Sequence, residues 1–273
     1  MSEIRKPAVA GYFYPSDPVK LKDELETLLA ISKTQEAVPG VCGLISPHAG
    51  YIYSGKTAAH AFNLLKDKPV KTAVIISPSH REYFSGISIY KGDAYATPLG
   101  VIRSNKKMTA KLTEDSKNIF SGILGHKEEH GIEVQLPFLQ SVIGNFEIVP
   151  IVMGDQRNLY VEELASKLAE SVDENTVIIA SSDLSHFHSK YEANELDSIV
   201  EQRISEFDYI SLQSDLEKQL CEACGGGPII AMMKAADRVN KKRSLVLHRS
   251  DSSDTSGDTS EVVGYLAAVV YGE

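Results

Sequence analysis

Leu44-Ile45-Ser46-Pro47-His48-Ala49-Gly50-Tyr51-Ile52-Tyr53-Ser54-Gly55 decides how this chain is read, because an apolar run ends there abruptly at a proline and a histidine. A short apolar run bounded by turn residues has the pattern of a strand buried on both faces. The same shape recurs at Ala73-Val74-Ile75-Ile76-Ser77-Pro78-Ser79-His80 and, more loosely, at Val177-Ile178-Ile179-Ala180-Ser181-Ser182-Asp183-Leu184-Ser185-His186. In open α/β sheets ligands bind in the crevice beyond the carboxyl ends of the strands. Three strand ends that each carry a histidine can therefore converge on one crevice.

Working outward, residues 54–65 read as a helix with Ala58, Ala59, Phe62 and Leu65 facing inward. That makes a βαβ crossover between strands at 41–47 and 72–78, which predicts parallel neighbours with both histidines at one sheet edge. Upstream, Pro15 and Pro18 interrupt an aromatic segment, and Ser16 or Asp17 caps a helix with Leu21, Leu25, Leu28 and Leu29 at helical spacing. Residues 86–103 read as a hairpin or antiparallel edge, and 107–120 as an amphipathic helix broken at 122–125. A strand at 146–153, a helix at 159–171 and a strand at 176–180 sustain the alternation. A helix at 191–207, helical character at 216–221, a halt at Cys224-Gly225-Gly226-Gly227-Pro228 and a helix at 229–239 follow. Strands at 244–247 and 262–271 close the chain, joined by the polar stretch 250–260, expected to be a mobile loop. The pattern predicts an α/β fold, a single domain over 1–273 with a central largely parallel or mixed β-sheet flanked by helices.

The composition, 42% hydrophobic and 24% charged over 273 residues, is that of a soluble globular protein. The net charge of −9 is spread through interleaved acids and bases, which argues against a nucleic-acid-binding face. Residues 1–6 lack a secretory signal and no run approaches the about 18 apolar residues of a membrane span, so a cytoplasmic protein with no membrane partner is expected. Cys42, Cys221 and Cys224 are odd in number and too few for a disulfide framework, which leaves each available as a core residue, a metal ligand or a nucleophile.

Neutral imidazole is the commonest transition-metal ligand, and a strand end holds it rigidly. A lone histidine in such a place is more often simply hydrogen-bonded; three placements shift the balance toward a metal. His60 and His126 lack that context and read as structural. Cys221-Glu222-Ala223-Cys224 has C-x-x-C spacing, yet no second pair completes a four-cysteine site, and no strand immediately precedes it. Cys224, followed by glycines, is the better-placed thiol; Cys221 reads as packing. The glycines before a helix suggest an anion cradle but match neither a P-loop nor a dinucleotide fingerprint. Ser181, Ser182 and Ser185 sit near Asp183, His186 and His188 without the nucleophile elbow that serine hydrolysis needs. Residues 128–137 offer Glu129, His130 and Glu133 beside an apolar set, either as a solvated turn or as support for a ligand.

Together, Pro47-His48-Ala49-Gly50-Tyr51 with Ser54-Gly55, Pro78-Ser79-His80, Glu129-His130-Gly131-Ile132-Glu133 with Leu136-Pro137, Ser181-Ser182-Asp183-Leu184-Ser185-His186 and Cys224-Gly225 with Pro228-Ile229 resemble the Memo family, nearly end to end. The resemblance implies the fold of class III, LigB-like extradiol dioxygenases, whose non-haem iron is held by two histidines and a carboxylate. It implies His48, His80 and Cys224 as metal ligands, His186 and Asp183 as catalytic groups, and Glu129, His130 and Glu133 as residues that orient the imidazoles. A thiolate in place of the carboxylate favours iron or copper, with zinc as the alternative, over a site built to activate oxygen. The implied activity is that of a metal-dependent oxidoreductase on a small-molecule or peptide ligand. The alternatives are a non-catalytic module holding an anionic peptide in the same cleft, and a zinc hydrolase.

Overall fold

In the computed structural model, which describes residues 3–32 and 38–272, the chain begins with a two-residue strand, β1 (Ile4–Arg5). Asp17 then caps α1 (Pro18–Ile31), accepting from the N–H groups of Val19 at 3.0 Å and Lys20 at 2.9 Å, with Pro18 in the first turn where a missing N–H costs nothing. β2 (Val41–Ser46) delivers Pro47-His48 as expected, and a turn of π-helix at Tyr51–Gly55 leads into α2 (Lys56–Phe62) and β3 (Thr72–Pro78).

The segment 86–103 divides between two sheets. β4 (Ile87–Tyr90) enters the main sheet, while β5 (Ala94–Thr97) and β6 (Gly100–Arg103) form the hairpin and, with β1, a separate three-stranded sheet. α3 (Lys106–Thr113) is shorter than the 107–120 reading. The backbone turns left-handed at Asp115, φ 53°, and returns as β7 (Ile119–Gly122), a strand the sequence pattern did not disclose. α4 (Leu136–Val142), β8 (Glu147–Met153), α5 (Asn158–Ser171) and β9 (Thr176–Ser181) restore the alternation.

A short β10 (His186–His188), also unforeseen, precedes α6 (Lys190–Ser205). The next helix, α7 (Tyr209–Glu217), lies ahead of the 216–221 stretch, and the glycines at 226–227 open α8 (Gly226–Arg238) instead of only halting a helix. β11 (Arg243–Asp251), the one-turn α9 (Ser253–Ser256) and β12 (Val262–Tyr271) complete the chain, so the expected loop at 250–260 is partly ordered structure.

The α/β class is as read: the main sheet is mixed, in the order β10-β12-β2-β9-β3-β8-β4-β7, with β11 also on β12. The expected strand order is corrected. β2 and β3 are parallel but not neighbours; β9 lies between them, paired through Ser46↔Ser181 on one side and Ile76↔Ala180 on the other. All three strands still end at the same edge. Alternate residues feed two cores, Leu44, Ile75 and Phe138 in one and Ile45, Val74 and Met232 in the other, as period-2 side chains of a sheet covered on both faces require. Among the described residues, no helix is long and apolar enough to cross a membrane.

The two structural histidines predict an acid sensitivity. His126 is buried, its Nε2–H donating to the Ser88 carbonyl at 3.1 Å and its Nδ1 accepting from the Tyr95 hydroxyl at 2.8 Å; burial lowers its pKa to about 3. His60, stacked on His248 with centroids 4.5 Å apart, is lowered to about 4 by burial and by that neighbour. Because the unfolded chain takes up these protons near pH 6.5 and the folded chain does not, stability falls as pH drops below that point. The slope is about 1.4 kcal/mol per pH unit for each fully shifted histidine. Urea unfolding of His126→Gln between pH 7 and 5 should lose about that much of the wild-type slope.

Candidate metal centre

The edge where β2, β9 and β3 end brings together His48, Asp183 and His80, and the turn before α8 adds Cys224. One ligand atom from each of His48, His80 and Cys224 lies within 4.8 Å of the others, and His48 Nε2 is 3.2 Å from Cys224 Sγ. The His48 and His80 rings meet edge to face, with centroids 4.8 Å apart.

The hydrogen bonds around the imidazoles fix their tautomers. The Ser181 hydroxyl has one proton, which it donates to the Gly131 carbonyl at 2.7 Å; it accepts from Gln135 Nε2 at 2.9 Å. Its contact with His48 Nδ1 at 2.8 Å is therefore also an accepted bond, so Nδ1 carries the proton and the Nε2 lone pair faces Cys224. His80 Nδ1 lies 2.8 Å from the buried carboxylate of Glu129, an acceptor, which likewise leaves its Nε2 basic. Glu129 also accepts from the N–H of His80 and of Gly131, each at 2.8 Å. Burial alone would raise the Glu129 carboxyl, but the His80 bond and charge and the Gly131 N–H outweigh it and hold it down at about 2. Both imidazoles are thus aimed by a hydrogen-bonded partner, as metal-ligating histidines are.

Cys224 is seated by a backbone exchange with the end of β9. Its N–H donates to the Asp183 carbonyl at 3.2 Å, and the Asp183 N–H donates to its sulfur at 3.2 Å. Gly225 permits this approach, since a Cβ there would collide with the Ser181 carbonyl oxygen. Burial, and then the charge of Asp183, push the Cys224 thiol up. The Asp183 carboxylate is buried and raised by that burial, although the His48 N–H bonded to it at 2.8 Å pulls the other way.

His186, on β10, stands to one side. Its Nδ1–H donates to the Leu184 carbonyl at 2.9 Å, which leaves Nε2 as its basic nitrogen. With Cys224, Leu184 and Ile230 it lines a groove of about 860 Å³; His48 and His80 do not line it. Cys221 also faces the groove but is a buried thiol raised to about 11 by that burial.

The other expected residues separate. His130 packs on both candidate ligands, its ring 4.5 Å from that of His80 and 5.2 Å from that of His48. His80, Glu129 and His130 could themselves group around an ion, although Glu129 already accepts three N–H bonds from His80 and Gly131. Glu133 does not orient an imidazole. It is wholly buried under the N-terminal segment, where it pairs with Arg5 and accepts from Ala8 N at 2.8 Å, Val9 N at 2.9 Å and the Tyr14 hydroxyl at 2.6 Å. Its link to the site is indirect: Arg5 also donates to the Glu129 carbonyl at 2.6 Å. Sequence reasoning missed Gln135, Arg5 and the supporting role of Ser181, whose position at a strand end beside Asp183 was the one available signal.

The chain is similar over nearly its whole length to known proteins. The family described as Memo-like protein matches residues 5–269. A MEMO1 family protein of Methanosarcina acetivorans is 39% identical over 272 residues, covering 98% of this chain and 99% of that one. Relatives of the same description in Thermoplasma volcanium and Sulfolobus acidocaldarius are 36% and 38% identical, each over 97% of this chain and 98% of theirs. The crystal structure of an uncharacterised protein from Escherichia coli K12 shares the fold, with a TM-score of 0.53 at 11% identity, over 84% of this chain and 99% of that one. With the motif residues gathered at one sheet edge and the match running nearly from end to end, this chain belongs to the Memo family.

Proposed function

We propose that His48, His80 and Cys224 hold one transition-metal ion, iron or copper, and that the protein is a metal-dependent oxidoreductase acting on a ligand in the groove beside Cys224. The observation that carries this reading is the pair of fixed tautomers: Ser181 and Glu129 each hold a histidine by Nδ1, so both Nε2 lone pairs are left for an ion. Donors bonded to one ion at about 2.0–2.3 Å lie roughly 3–4 Å apart. The 3.2 Å between His48 Nε2 and Cys224 Sγ fits that, and a small ring rotation brings a spacing of up to 4.8 Å within it. Two imidazoles and a thiolate suit iron, copper or zinc and not magnesium or calcium. Such an ion, when bound, supplies Lewis acidity and, if iron or copper, electron exchange.

The chain's own residues do the rest. Cys224 gives up its proton on binding the ion, so metal affinity rises with pH. His186, anchored by Nδ1, offers Nε2 to take or return a proton on a ligand in the groove, and Leu184 and Ile230 keep that part of it apolar. An anionic peptide finds little to hold it there: the lining carries Glu217 and Glu222, and its arginine, Arg157, is committed to Asp155 at 2.6 Å.

Metal analysis of protein purified and reconstituted without oxygen tests the proposal. One equivalent of iron or copper is expected, and no tightly bound ion under any reconstitution would overturn it. Ser181→Ala, which frees the His48 tautomer, should weaken metal binding about 10- to 100-fold in a chelator competition. With an oxidisable substrate in hand, His186→Ala should abolish turnover and leave ligand affinity nearly intact.

A further inference from the structure

We infer that Asp197, on α6 and outside the metal cluster, is the positioning residue that locks the His186 imidazole. The argument runs through one peptide plane. The Leu184 carbonyl, which accepts from His186 Nδ1–H at 2.9 Å, and the Ser185 N–H, which donates to Asp197 Oδ1 at 3.0 Å, belong to the same rigid trans peptide unit. Holding its N–H end fixes the direction of its carbonyl end. Asp197 therefore decides whether that carbonyl points at His186.

The carboxylate is placed for this with little freedom. Asp197 is 2% exposed and lies against the bare Cα of Gly264, where a Cβ would run into Oδ2. Gly264 grips the same loop from the other strand, accepting from Leu184 N at 2.8 Å and donating to the Ser185 carbonyl at 3.0 Å. A buried carboxylate with a bound N–H is costly to leave unpaired, which keeps the clamp closed. Gly264, in the closing Val263-Gly264-Tyr265 stretch, thus has a physical role: it makes room for the Asp197 carboxylate.

The functional weight of the lock rests on His186 being the groove's proton carrier, but its existence does not, and the test reads the imidazole directly. In metal-free full-length protein with nitrogen-15-labelled histidine, side-chain NMR at pH 8 should show His186 in the Nδ1–H form. Asp197→Ala removes the acceptor and Gly264→Ala displaces it, so both should shift His186 toward the Nε2–H form preferred by free imidazole. Asp197→Asn keeps an acceptor oxygen and should retain the wild-type signal. Leu25→Ala, a core truncation on the opposite side of the sheet, should lower stability without moving that signal. If Asp197→Ala does not fold, Gly264→Ala carries the same comparison. An unchanged His186 signal in a folded clamp variant, failure of Asp197→Asn to preserve it, or an equal shift in Leu25→Ala would each overturn the assignment.

Discussion

His48→Ala, His80→Ala and Cys224→Ala should each weaken transition-metal binding by more than about 100-fold, beyond the 10- to 100-fold typical of losing a partner that only orients a ligand. The reason is geometric. His48 and Cys224 are seated by the end of β9, through the Ser181 hydroxyl and the Asp183 backbone, and His80 by Glu129, so each donor is held in place before an ion arrives. Binding to the native state alone adds about 2.7 kcal/mol of stability at a free metal concentration 100 times the dissociation constant. Thermal unfolding with and without metal should therefore separate wild type from the three variants. Wild-type affinity in Cys224→Ala, with loss in His186→Ala, would move the third ligand to His186.

The second large effect lies away from the ion. Arg5→Ala should destabilise the fold by about 3–5 kcal/mol, the usual cost of stranding a buried charge, and lower the melting temperature by roughly 10 °C in a chain of this size. Arg5 is the cation paired with the wholly buried Glu133, and it also donates to the carbonyls of His126 at 2.7 Å and Glu129 at 2.6 Å. Replacing both partners, as Arg5→Met with Glu133→Gln, should recover part of the loss, because a neutral pair leaves no buried charge behind. Urea unfolding measures both; a loss below about 1 kcal/mol in Arg5→Ala would show that the pair is dispensable. Since the same guanidinium steadies the loop that aims His80, Arg5→Ala should also reduce metal affinity.

What could be read in advance was whatever depends on local pattern. The strands at 41–46, 72–78 and 176–181 announce themselves by unbroken apolar runs, and the histidines by where those runs stop. The insertion of β9 between β2 and β3 was hidden because pairing order is a long-range property that periodicity does not encode. β7 was absorbed into the preceding helix because nothing in its composition announces that Asp115 takes a left-handed conformation. Glu133 misled for a related reason. It stands four residues from Glu129, but a turn of 3₁₀-helix at Glu133–Gln135 sends the two carboxylates into different surroundings.

The place of β9 in the sheet also bears on how the protein is made. A ribosome releases the residues carrying both histidines about a hundred residues before the strand that must slot between them, so the emerging N-terminal part cannot complete its sheet. Contacts of such long sequence separation form slowly, since loop closure comes before any reward. A nascent chain stopped short of Thr176 would carry His48 and His80 yet lack Ser181, Asp183 and Cys224, so the proposed ion site can be assembled only after those later residues have emerged.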